Sequence, residues 1–318
     1  MRIKFWGVRG SYASAIGYHA IENKIRQVLT LATPGDIMSP DRIEDFIERL
    51  PFSMKGTFGG NTTCVEVTTD NDDLLIIDGG TGLTAMGNVL MQNERWRKGS
   101  QIHHFFTHTH WDHIQGVMFF GPFFIPNNHV TFYSSFDDIM DRLRYQTPPT
   151  HFPISFDDLP IQKDFVHLPE GDSLEVAGIE VTSKAVRHPG GTYSYKFTQA
   201  DSKSFIFCSD AEFNLDVMDD IVTYIEYFKD ADVLVFDTQY TFEESLQKID
   251  WGHSSAAIAT DIAIKSNVKK LVLFHHDPSY DDDKMDALAL TALKYKELMA
   301  PKHPLEIVAA YEGLDIIL

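Results

Sequence analysis

Residues 107–113 of this chain, Thr-His-Thr-His-Trp-Asp-His, place three imidazoles and a carboxylate close together, directly after an apolar stretch. Neutral histidine nitrogen and carboxylate oxygen are ligands that a divalent metal such as zinc accepts. His108 and His110 are two residues apart, so in an extended chain or a tight loop their side chains point the same way. Asp112 and His113 fall on the following turn, where they can face a second ion. The spacing therefore predicts two metals side by side.

Ligand-type residues recur after three strand-like segments further along the chain. His188 leaves one such segment at a proline-glycine turn, Asp210 follows an apolar run, and the pair His275 and His276 follows another. Side chains at strand ends are held by a rigid scaffold while the loop exposes them. Each of these residues alone is more typical of a surface turn than of a ligand. Their order after the first cluster makes them candidates to complete it.

The composition is that of an acidic globular chain. Its 318 residues, 43% of them apolar, can bury a large core. Lysine and arginine number 27 against 46 aspartates and glutamates, a net charge of −19. Such a surface repels a phosphate backbone, which predicts that extended nucleic acid is not a partner. A small anionic substrate stays compatible, because two divalent ions would concentrate positive charge at one place.

Several features predict a cytoplasmic protein. No stretch reaches the roughly 20 apolar residues that span a bilayer, so no membrane association is expected. The segment from Met1 to Gly7 lacks the long apolar run of a signal peptide and is typical of a first strand. The two cysteines, Cys64 and Cys208, lie in apolar strand-like segments, which indicates buried free thiols in a reducing compartment.

Strand-like and helical segments are mixed along the chain. Segments rich in Val, Ile and Phe and closed by turn residues predict strands at 3–8, 63–68, 74–77, 101–106, 130–134, 173–183, 193–198, 204–208, 233–237, 271–274 and 305–310. Helical periodicity predicts helices at about 19–31, 41–50 and 285–299, and one at 255–267 that Ser254 would cap. This order predicts an α/β fold with two sheets between helical layers, without a linker to a second domain.

The order of the metal-type residues resembles that of the metallo-β-lactamase superfamily, and the resemblance extends over nearly the whole chain. Phe5 to Ser11, Gly59 to Cys64 and Ile77 to Gly82 look like the family's opening strands and glycine turns. The resemblance implies a single α/β domain over residues 1–318, folded as a four-layer αβ/βα sandwich with the metals at its upper edge. A helical insertion would occupy about residues 18–55.

Carried over residue by residue, the resemblance assigns seven metal ligands and one bracing carboxylate. The first metal would be held by His108, His110 and His188, the second by Asp112, His113 and His275, and Asp210 would bridge both. His276 competes for the last position, and His275 is preferred because the family's ligand directly follows the strand. Asp78 corresponds to a buried carboxylate that orients the histidine-rich loop. Zinc is the first choice of metal, while manganese and iron suit the same ligands.

Two features indicate the branch of the superfamily. Asp210 stands where a zinc β-lactamase usually has cysteine, which counts against lactamase activity. The segment Trp251-Gly252-His253-Ser254 resembles the Gly-His-Ser-Thr type motif of phosphodiesterases, among them tRNA 3′-processing ribonucleases, PhnP-like enzymes and cyclic-nucleotide phosphodiesterases. His253 would lie at a helix N-terminus, where backbone N–H groups favour an anion, or would be only a helix-entry residue.

The resemblance implies a two-metal hydrolase, most simply a phosphodiesterase for a small cyclic or short phosphodiester. A hydroxide bridging the metals would attack phosphorus. Asp112 or Asp210 would help to orient it, and His253 would stabilise the pentacovalent phosphorus or protonate the leaving alkoxide. Two alternatives stay open: an ester, lactone or thioester hydrolase that needs no His253, and a non-catalytic metal-binding sensor. A homodimer is compatible, since the branch is commonly dimeric.

Two aromatic segments lie close in sequence to the metal loop, Phe119 to Pro126 and Thr147 to Pro153. They could form an apolar wall for a nucleobase, or could equally belong to the core or to a dimer surface. His151, between two prolines, is a candidate pocket residue. A basic glycine-rich arm of the kind that binds tRNA is not recognisable.

Overall fold

Two seven-stranded sheets form the centre of the computed structural model, which describes residues 1–213 and 221–318. The strands are β1 Arg2–Gly7, β2 Cys64–Thr68, β3 Leu74–Ile77, β4 Gln101–Phe106, β5 His129–Ser134, β6 Gln162–His167, β7 Ser173–Val176, β8 Ile179–Val186, β9 Thr192–Gln199, β10 Ser204–Cys208, β11 Val233–Asp237, β12 Lys270–Phe274, β13 Glu306–Ala309 and β14 Asp315–Ile317. Within these residues the α-helices are α1 Tyr18–Leu31, α2 Pro40–Arg49, α3 Phe52–Lys55, α4 Gly82–Leu90, α5 Glu94–Lys98, α6 Trp111–Ile114, α7 Ile139–Gln146, α8 Ile221–Phe228, α9 Phe242–Gln247, α10 Ala256–Lys265 and α11 Asp282–Met299. None of these helices is both long and apolar enough to cross a bilayer.

The strand order brings the ends of neighbouring strands together. The first sheet runs β14-β1-β2-β3-β4-β5-β6, and the second runs β13-β12-β11-β10-β9-β8-β7. Strands β3 to β6 are parallel to one another, and so are β10 to β13. Because the carboxyl ends of parallel strands meet at one edge of a sheet, the loops after β3 and β4 lie side by side, as do those after β10, β11 and β12.

Apolar side chains fill three layers, between the two sheets and on the outer face of each. Between the sheets, Phe5 and Phe105 of the first sheet lie in one cluster with Phe205 and Phe274 of the second. Successive residues of a strand point to opposite faces, so Ile206 packs instead with residues of α10 and α11. A third cluster joins α4 to the outer face of the first sheet. The predicted single-domain α/β four-layer sandwich is confirmed.

The strand predictions differ from the structure in two places. The segment 173–183 forms two antiparallel strands, β7 and β8, because a turn at Ala177 and Gly178, both with positive φ, separates them. The sequence does not predict β6 and β14, which lie at the two edges of the first sheet. Strand β6 has no fully buried residue and β14 is only three residues long, so neither carries a strong apolar pattern.

The segment predicted as a helical insertion contains α1, α2 and α3. Helix α1 is attached mainly through Lys24, which donates to the carbonyl groups of Ser53 and Gly56 and pairs with Asp282. The Ser53 N–H in turn donates to Asp286. These contacts tie the segment to the start of α11, and a cavity of about 290 Å³ lies between them.

Candidate metal centre

The loop after β4 is held by the carboxylate of Asp78, which directly follows the neighbouring strand β3. Asp78 is fully buried and accepts hydrogen bonds from the N–H and the hydroxyl group of Thr107, each at 2.8 Å. His113 donates its Nδ1–H to the same carboxylate at 2.7 Å. Its Nε2 lone pair is therefore the one available to a metal. Asp78 thus occupies the bracing position that the resemblance implies.

Four predicted ligands, His108, His110, His188 and Asp210, form a first cluster in which one ligand atom from each lies within 4.8 Å of the others. The Nε2 atom of His108 is buried and has no hydrogen-bond partner among the described residues. Burial also lowers the pKa of His108 well below its ordinary value, so this ring is neutral. A buried nitrogen with an unused lone pair, 3.7 Å from an oxygen of Asp210, suits a metal ion.

His188 is oriented by Gly252. Its Nδ1–H donates to the Gly252 carbonyl group at 3.0 Å, which leaves Nε2 at 2.9 Å from His110 Nδ1 and 3.6 Å from Asp210 Oδ2. Gly252 has a φ of +87°, and a Cβ atom there would lie 2.1 Å from His188 Nδ1. A side chain at residue 252 would therefore displace this ligand, which accounts for the glycine before His253.

The second cluster, Asp112, His113, Asp210 and His275, is more compact. Five distances between its ligand atoms lie between 3.0 and 3.4 Å. Ligands at zinc's ordinary bond length would stand about 3.3 Å apart at the corners of a tetrahedron. His275 donates its Nδ1–H to Gln239 at 3.0 Å, so its Nε2 lone pair also faces the cluster. The spacing of these atoms fits a tetrahedral ion.

The electrostatics of the second cluster favour a cation. Burial raises the pKa of Asp210, but the neighbouring histidines, His113 first, outweigh burial and bring the pKa well below its ordinary value. Burial lowers the pKa of His113, but the charges of Asp210, Asp112 and Asp78 outweigh burial and raise it well above its ordinary value. The negative charge that would hold a proton on His113 would also hold a divalent ion, which satisfies all four ligands at once.

Asp210 belongs to both clusters. Its Oδ1 lies 3.0 Å from His113 Nε2 and 3.1 Å from His275 Nε2, while Oδ2 faces His108 and His188. One carboxylate therefore has an oxygen in each cluster, which is the arrangement of a bridging ligand. The structure brings all seven predicted metal ligands together in this pair of clusters.

His275, not His276, faces the centre. His276 donates from Nε2 to the carbonyl group of Ala310 at 2.8 Å, and its ring packs edge-on against Phe58. Burial lowers the pKa of His276 to about 3. The second histidine of the pair is thus a neutral core residue, as the preference for His275 expected.

Three strand ends share an unusual backbone conformation. Asp78, Asp210 and His275 have φ values of 57°, 53° and 60°, in the left-handed region that residues other than glycine rarely adopt. Such conformations concentrate at functional sites, where the surrounding structure maintains them. Here each one turns the chain at the end of a strand and aims a side chain at the centre.

His253 lies beside the second cluster and is held by Asp237, a carboxylate that sequence reasoning missed. Its Nδ1–H donates to Asp237 at 2.7 Å, and its ring stacks on that of His275 with centroids 5.0 Å apart. Burial lowers the pKa of His253, but the charge of Asp237 and those of the cluster outweigh burial and raise it to about 9. Asp237 is the last residue of β11, and Asp210 follows β10 in a similar position. This position at a strand end is the feature of the sequence by which Asp237 could have been identified as a site residue.

Ser254 anchors the turn that carries His253. Its hydroxyl group donates to the Ala211 carbonyl group at 2.6 Å and accepts the Phe213 N–H at 3.0 Å. The cap of α10 is Ser255, whose side chain accepts a backbone N–H of the first turn. The prediction of Ser254 as the cap was wrong by one residue, because either serine suits that role in sequence alone.

A cavity of about 410 Å³ opens over both clusters. It is lined by Ser11, Thr109, His110, Trp111, Asp112, Asp210, His253 and His275. Sequence reasoning did not assign Ser11 or Trp111 to the site. The Ser11 N–H donates to Asp112 Oδ2 at 2.7 Å, and the Trp111 side chain is 78% exposed. A backbone contact such as that of Ser11 has no signal in sequence.

The aromatic segments near the metal loop contribute to the core, which is one of the roles considered for them. Phe120 and Phe123 are fully buried in the core, and Phe119 packs edge-on against Phe152 with centroids 5.4 Å apart. His151 is exposed and contacts the hydroxyl group of its neighbour Thr150. Among the described residues that line the cavity, Trp111 is the large aromatic side chain that accompanies the three histidines.

Comparison with known proteins identifies the family. The sequence profile of the beta-lactamase superfamily domain matches residues 75–276, a range that contains all seven predicted ligands. The chain belongs to this superfamily. It is thereby related to metal-dependent hydrolases that include nucleases and phosphodiesterases.

Individual relatives are similar over different extents. Ribonuclease Z of Sulfurisphaera tokodaii is 43% identical over 58 residues, which are 18% of this chain and 19% of that enzyme, so the match spans about a fifth of its length. The metallo-beta-lactamase fold protein YhfI from Bacillus subtilis has a TM-score of 0.63 at 15% identity, over 99% of this chain and 98% of that one. A diphosphatase from the PhnP family has a TM-score of 0.58 at 17% identity, over 99% and 97% of the chains. At this identity, the two structures support the fold alone.

Replacing Asp78 by asparagine is expected to weaken metal binding about 10- to 100-fold, because carboxylates that hold histidine ligands orient them and increase their basicity. The amide has one accepting oxygen where the carboxylate has two, and it cannot accept all three hydrogen bonds from Thr107 and His113. Competition with a metal-chelating dye measures the affinity. Asp164→Asn is the matched control, since Asp164 contacts His129 at 2.6 Å on the exposed surface. Equal affinities of the Asp78 and Asp164 variants would exclude the bracing role.

Proposed function

We propose that this protein is a dinuclear metal-dependent phosphodiesterase that acts on a small cyclic or short phosphodiester, with zinc as the first-choice metal. The observation that carries the proposal is the imidazole of His253, held by Asp237 beside the two clusters. An ester or lactone hydrolase on the same scaffold would not need it. The names of two relatives, a ribonuclease Z and a PhnP-family diphosphatase, support phosphoester chemistry.

The side chains of the site would each have a separate task. When bound, two divalent ions would supply a nucleophile at neutral pH and positive charge for the phosphate oxygens. Asp112, held by the Ser11 N–H, would orient the incoming nucleophile. His253 would meet the substrate through Nε2, because Asp237 accepts the proton on Nδ1. From there it would stabilise charge at phosphorus or protonate the leaving oxygen.

The size and charge of the site favour a small substrate. The cavity of about 410 Å³ lies within the range of roughly 300–1,000 Å³ that is usual for small-molecule sites. A net charge of −19 disfavours a long polyanion, which draws its affinity from lysine and arginine. Divalent ions at the two clusters would offset the local negative charge. A nucleotide-sized diester meets both conditions.

A substrate screen tests this proposal. Protein loaded with zinc or manganese is offered 2′,3′- and 3′,5′-cyclic nucleotides, short oligonucleotides, and a panel of carboxylic esters, lactones and thioesters. We expect hydrolysis of a cyclic nucleotide or a short oligonucleotide. Hydrolysis confined to the carboxylic ester panel would replace the proposal with the ester hydrolase alternative.

Trp111 is expected to contact the base of a nucleotide substrate. Its indole is exposed and lines the cavity beside Asp112. A stacked aromatic side chain contributes about 1–3 kcal/mol per base, so Trp111→Ala should raise KM by about 5- to 150-fold with little change in kcat. Trp251→Ala is the matched control, because Trp251 is 61% exposed and outside the described lining of the cavity. Equal KM values for the two variants would contradict this role.

We also propose that the protein works in a reducing cytoplasm. Cys64 and Cys208 are free thiols and fully buried. Burial raises the pKa of both, which makes them unreactive core residues. This pattern supports a compartment in which disulfides are not needed.

A further inference from the structure

The turn of residues 249–252 leads directly into His253 and has an unusual backbone. Asp250 and Gly252 have φ values of 68° and 87°, both in the left-handed region. Glycine adopts this conformation readily, but a residue such as Asp250 rarely does. Surrounding contacts must therefore maintain the turn, and they decide where His253 lies.

The carboxylate of Glu212 supplies these contacts. Its Oε1 accepts the Asp250 N–H and its Oε2 accepts the Gly252 N–H, each at 2.9 Å. Glu212 is only 3% exposed. Hydrogen bonds to a carboxylate are roughly twice as strong as those between neutral groups, and the exclusion of water strengthens them further. One buried side chain thus holds both left-handed residues of the turn.

The backbone around Glu212 joins the same turn to two metal-ligand segments. Glu212 lies two residues after Asp210, whose oxygens reach both clusters. Its N–H donates at 2.9 Å to the carbonyl group of Arg187, the residue before the ligand His188. The hydroxyl group of Ser254 bonds to both chain neighbours of Glu212, at 2.6 and 3.0 Å. Glu212 therefore lies at the centre of a hydrogen-bonded unit that contains two predicted ligands and the turn.

Two groups of the site depend on the position of this turn. The Gly252 carbonyl group accepts the Nδ1–H of His188 at 3.0 Å and so directs the other nitrogen of that ring to the first cluster. His253 follows Gly252 directly, and its ring packs against that of His188 with centroids 5.3 Å apart. A displacement of about 1 Å in an active site can lower turnover about 100-fold. A turn that moved by this distance would disturb a metal ligand and His253 together.

We propose that Glu212 is a positioning residue that fixes His188 as a ligand of the first cluster and His253 at the cavity. Glu212 is not among the described residues that line the cavity, so it acts through the turn and not by touching the substrate. The role toward His253 rests on the proposed function. The role toward His188 requires only that the first cluster binds a metal, which allows the two roles to be tested separately.

Metal binding by Glu212→Gln tests the role toward His188 without a substrate. The amide offers one accepting oxygen, so one N–H of the turn loses its partner. Titration against a metal-chelating dye should show one of the two ions bound about 10- to 100-fold more weakly than in the wild type, the usual effect of losing a group that orients a ligand. Glu312→Gln is the matched control, because Glu312 also accepts two backbone N–H groups, from Gly60 and Asn61 at 2.7 and 2.6 Å, but holds a turn without metal ligands. Its metal affinities should equal those of the wild type.

Turnover measured at saturating zinc tests the role toward His253. Glu212→Gln should lower kcat about 10- to 100-fold for a phosphodiester that the wild type hydrolyses. In a His253→Ala background the same substitution should have little further effect, because it acts through that imidazole. Circular dichroism shows whether each variant is folded. If Glu212→Gln is not folded, Glu212→Asp takes its place, since the shorter carboxylate keeps the charge but should not reach both N–H groups.

The outcomes distinguish this proposal from the proposed function. Unchanged metal affinity in Glu212→Gln, or an effect equalled by Glu312→Gln, would overturn the role toward His188. Unchanged turnover, or a loss of the same size with and without His253, would overturn the role toward His253. A wild type that binds metal but hydrolyses no phosphodiester would reject the proposed function, and the dye titration would still decide the role of Glu212 toward His188.

Discussion

Replacing Asp210 by asparagine is expected to remove metal from both clusters and to lower turnover by at least about 10³-fold, because the ions supply both the nucleophile and the charge stabilisation. Asp210 has one oxygen in each cluster, and the amide would keep a single neutral oxygen beside an NH₂ group that cannot bind a cation. Elemental analysis of the purified variant should find less than one ion per chain. Hydrolysis of bis(p-nitrophenyl) phosphate measures the loss of turnover.

The same variant should lose its stabilisation by metal. A ligand that binds only the folded state raises its stability, so added zinc should raise the Tm of the wild type and leave that of Asp210→Asn nearly unchanged. Asp277→Asn is the matched control, because Asp277 follows the His275–His276 pair but its side chain accepts hydrogen bonds from Ser279. A variant of Asp210 that retained two ions would show that this carboxylate does not bridge the clusters.

Replacing His253 by alanine is expected to lower phosphodiester turnover by about 10²- to 10⁴-fold, the usual effect of losing a general acid or base. Metal content should stay at the wild-type level, because His253 belongs to neither four-ligand cluster and touches their ligands His275 and His188 through ring packing. Turnover of a carboxylic ester by the same protein should change little. The two substrates are measured side by side on the same preparation.

The leaving group of the substrate distinguishes the two roles open to His253, which are to protonate the leaving oxygen or to stabilise charge at phosphorus. If it protonates the leaving oxygen, the loss should be larger for diesters that release an alkoxide than for bis(p-nitrophenyl) phosphate, whose phenolate leaves without help. Asp237→Asn should cause a smaller loss that is not additive with that of His253→Ala, because Asp237 acts through the imidazole. Unchanged diester turnover in His253→Ala, with metal content intact, would remove His253 from the mechanism.

The sequence predicted the residues of the centre better than their arrangement. The ligands of the loop 107–113 are close in sequence, so residue type and spacing alone indicate a metal site. His188, Asp210 and His275 come from three distant strand ends, and the parallel order of β10, β11 and β12 brings two of them together. Their division between two ions came from the resemblance, since spacing carries no information about contacts across sheets.

Other parts of the site depend on contacts that sequence does not contain. Asp237 looks like any carboxylate at the end of an apolar strand, and only its 2.7 Å contact with His253 distinguishes it. Ser11 contributes a backbone N–H, which every residue except proline has. Phe120 and Phe123 follow the metal loop in sequence but pack into the core, because a short turn is enough to reverse the direction of the chain.

Metal content measured together with hydrolysis tests the central claim, a two-metal phosphodiesterase centre, most directly. Protein purified without chelator is analysed for zinc, manganese and iron, and the same sample is assayed with bis(p-nitrophenyl) phosphate before and after metal is removed and restored. We expect about two divalent ions per chain and hydrolysis that disappears and returns with them. Fewer than one ion per chain, with no hydrolysis in added zinc or manganese, would contradict the account and indicate a non-catalytic protein with a vestigial site.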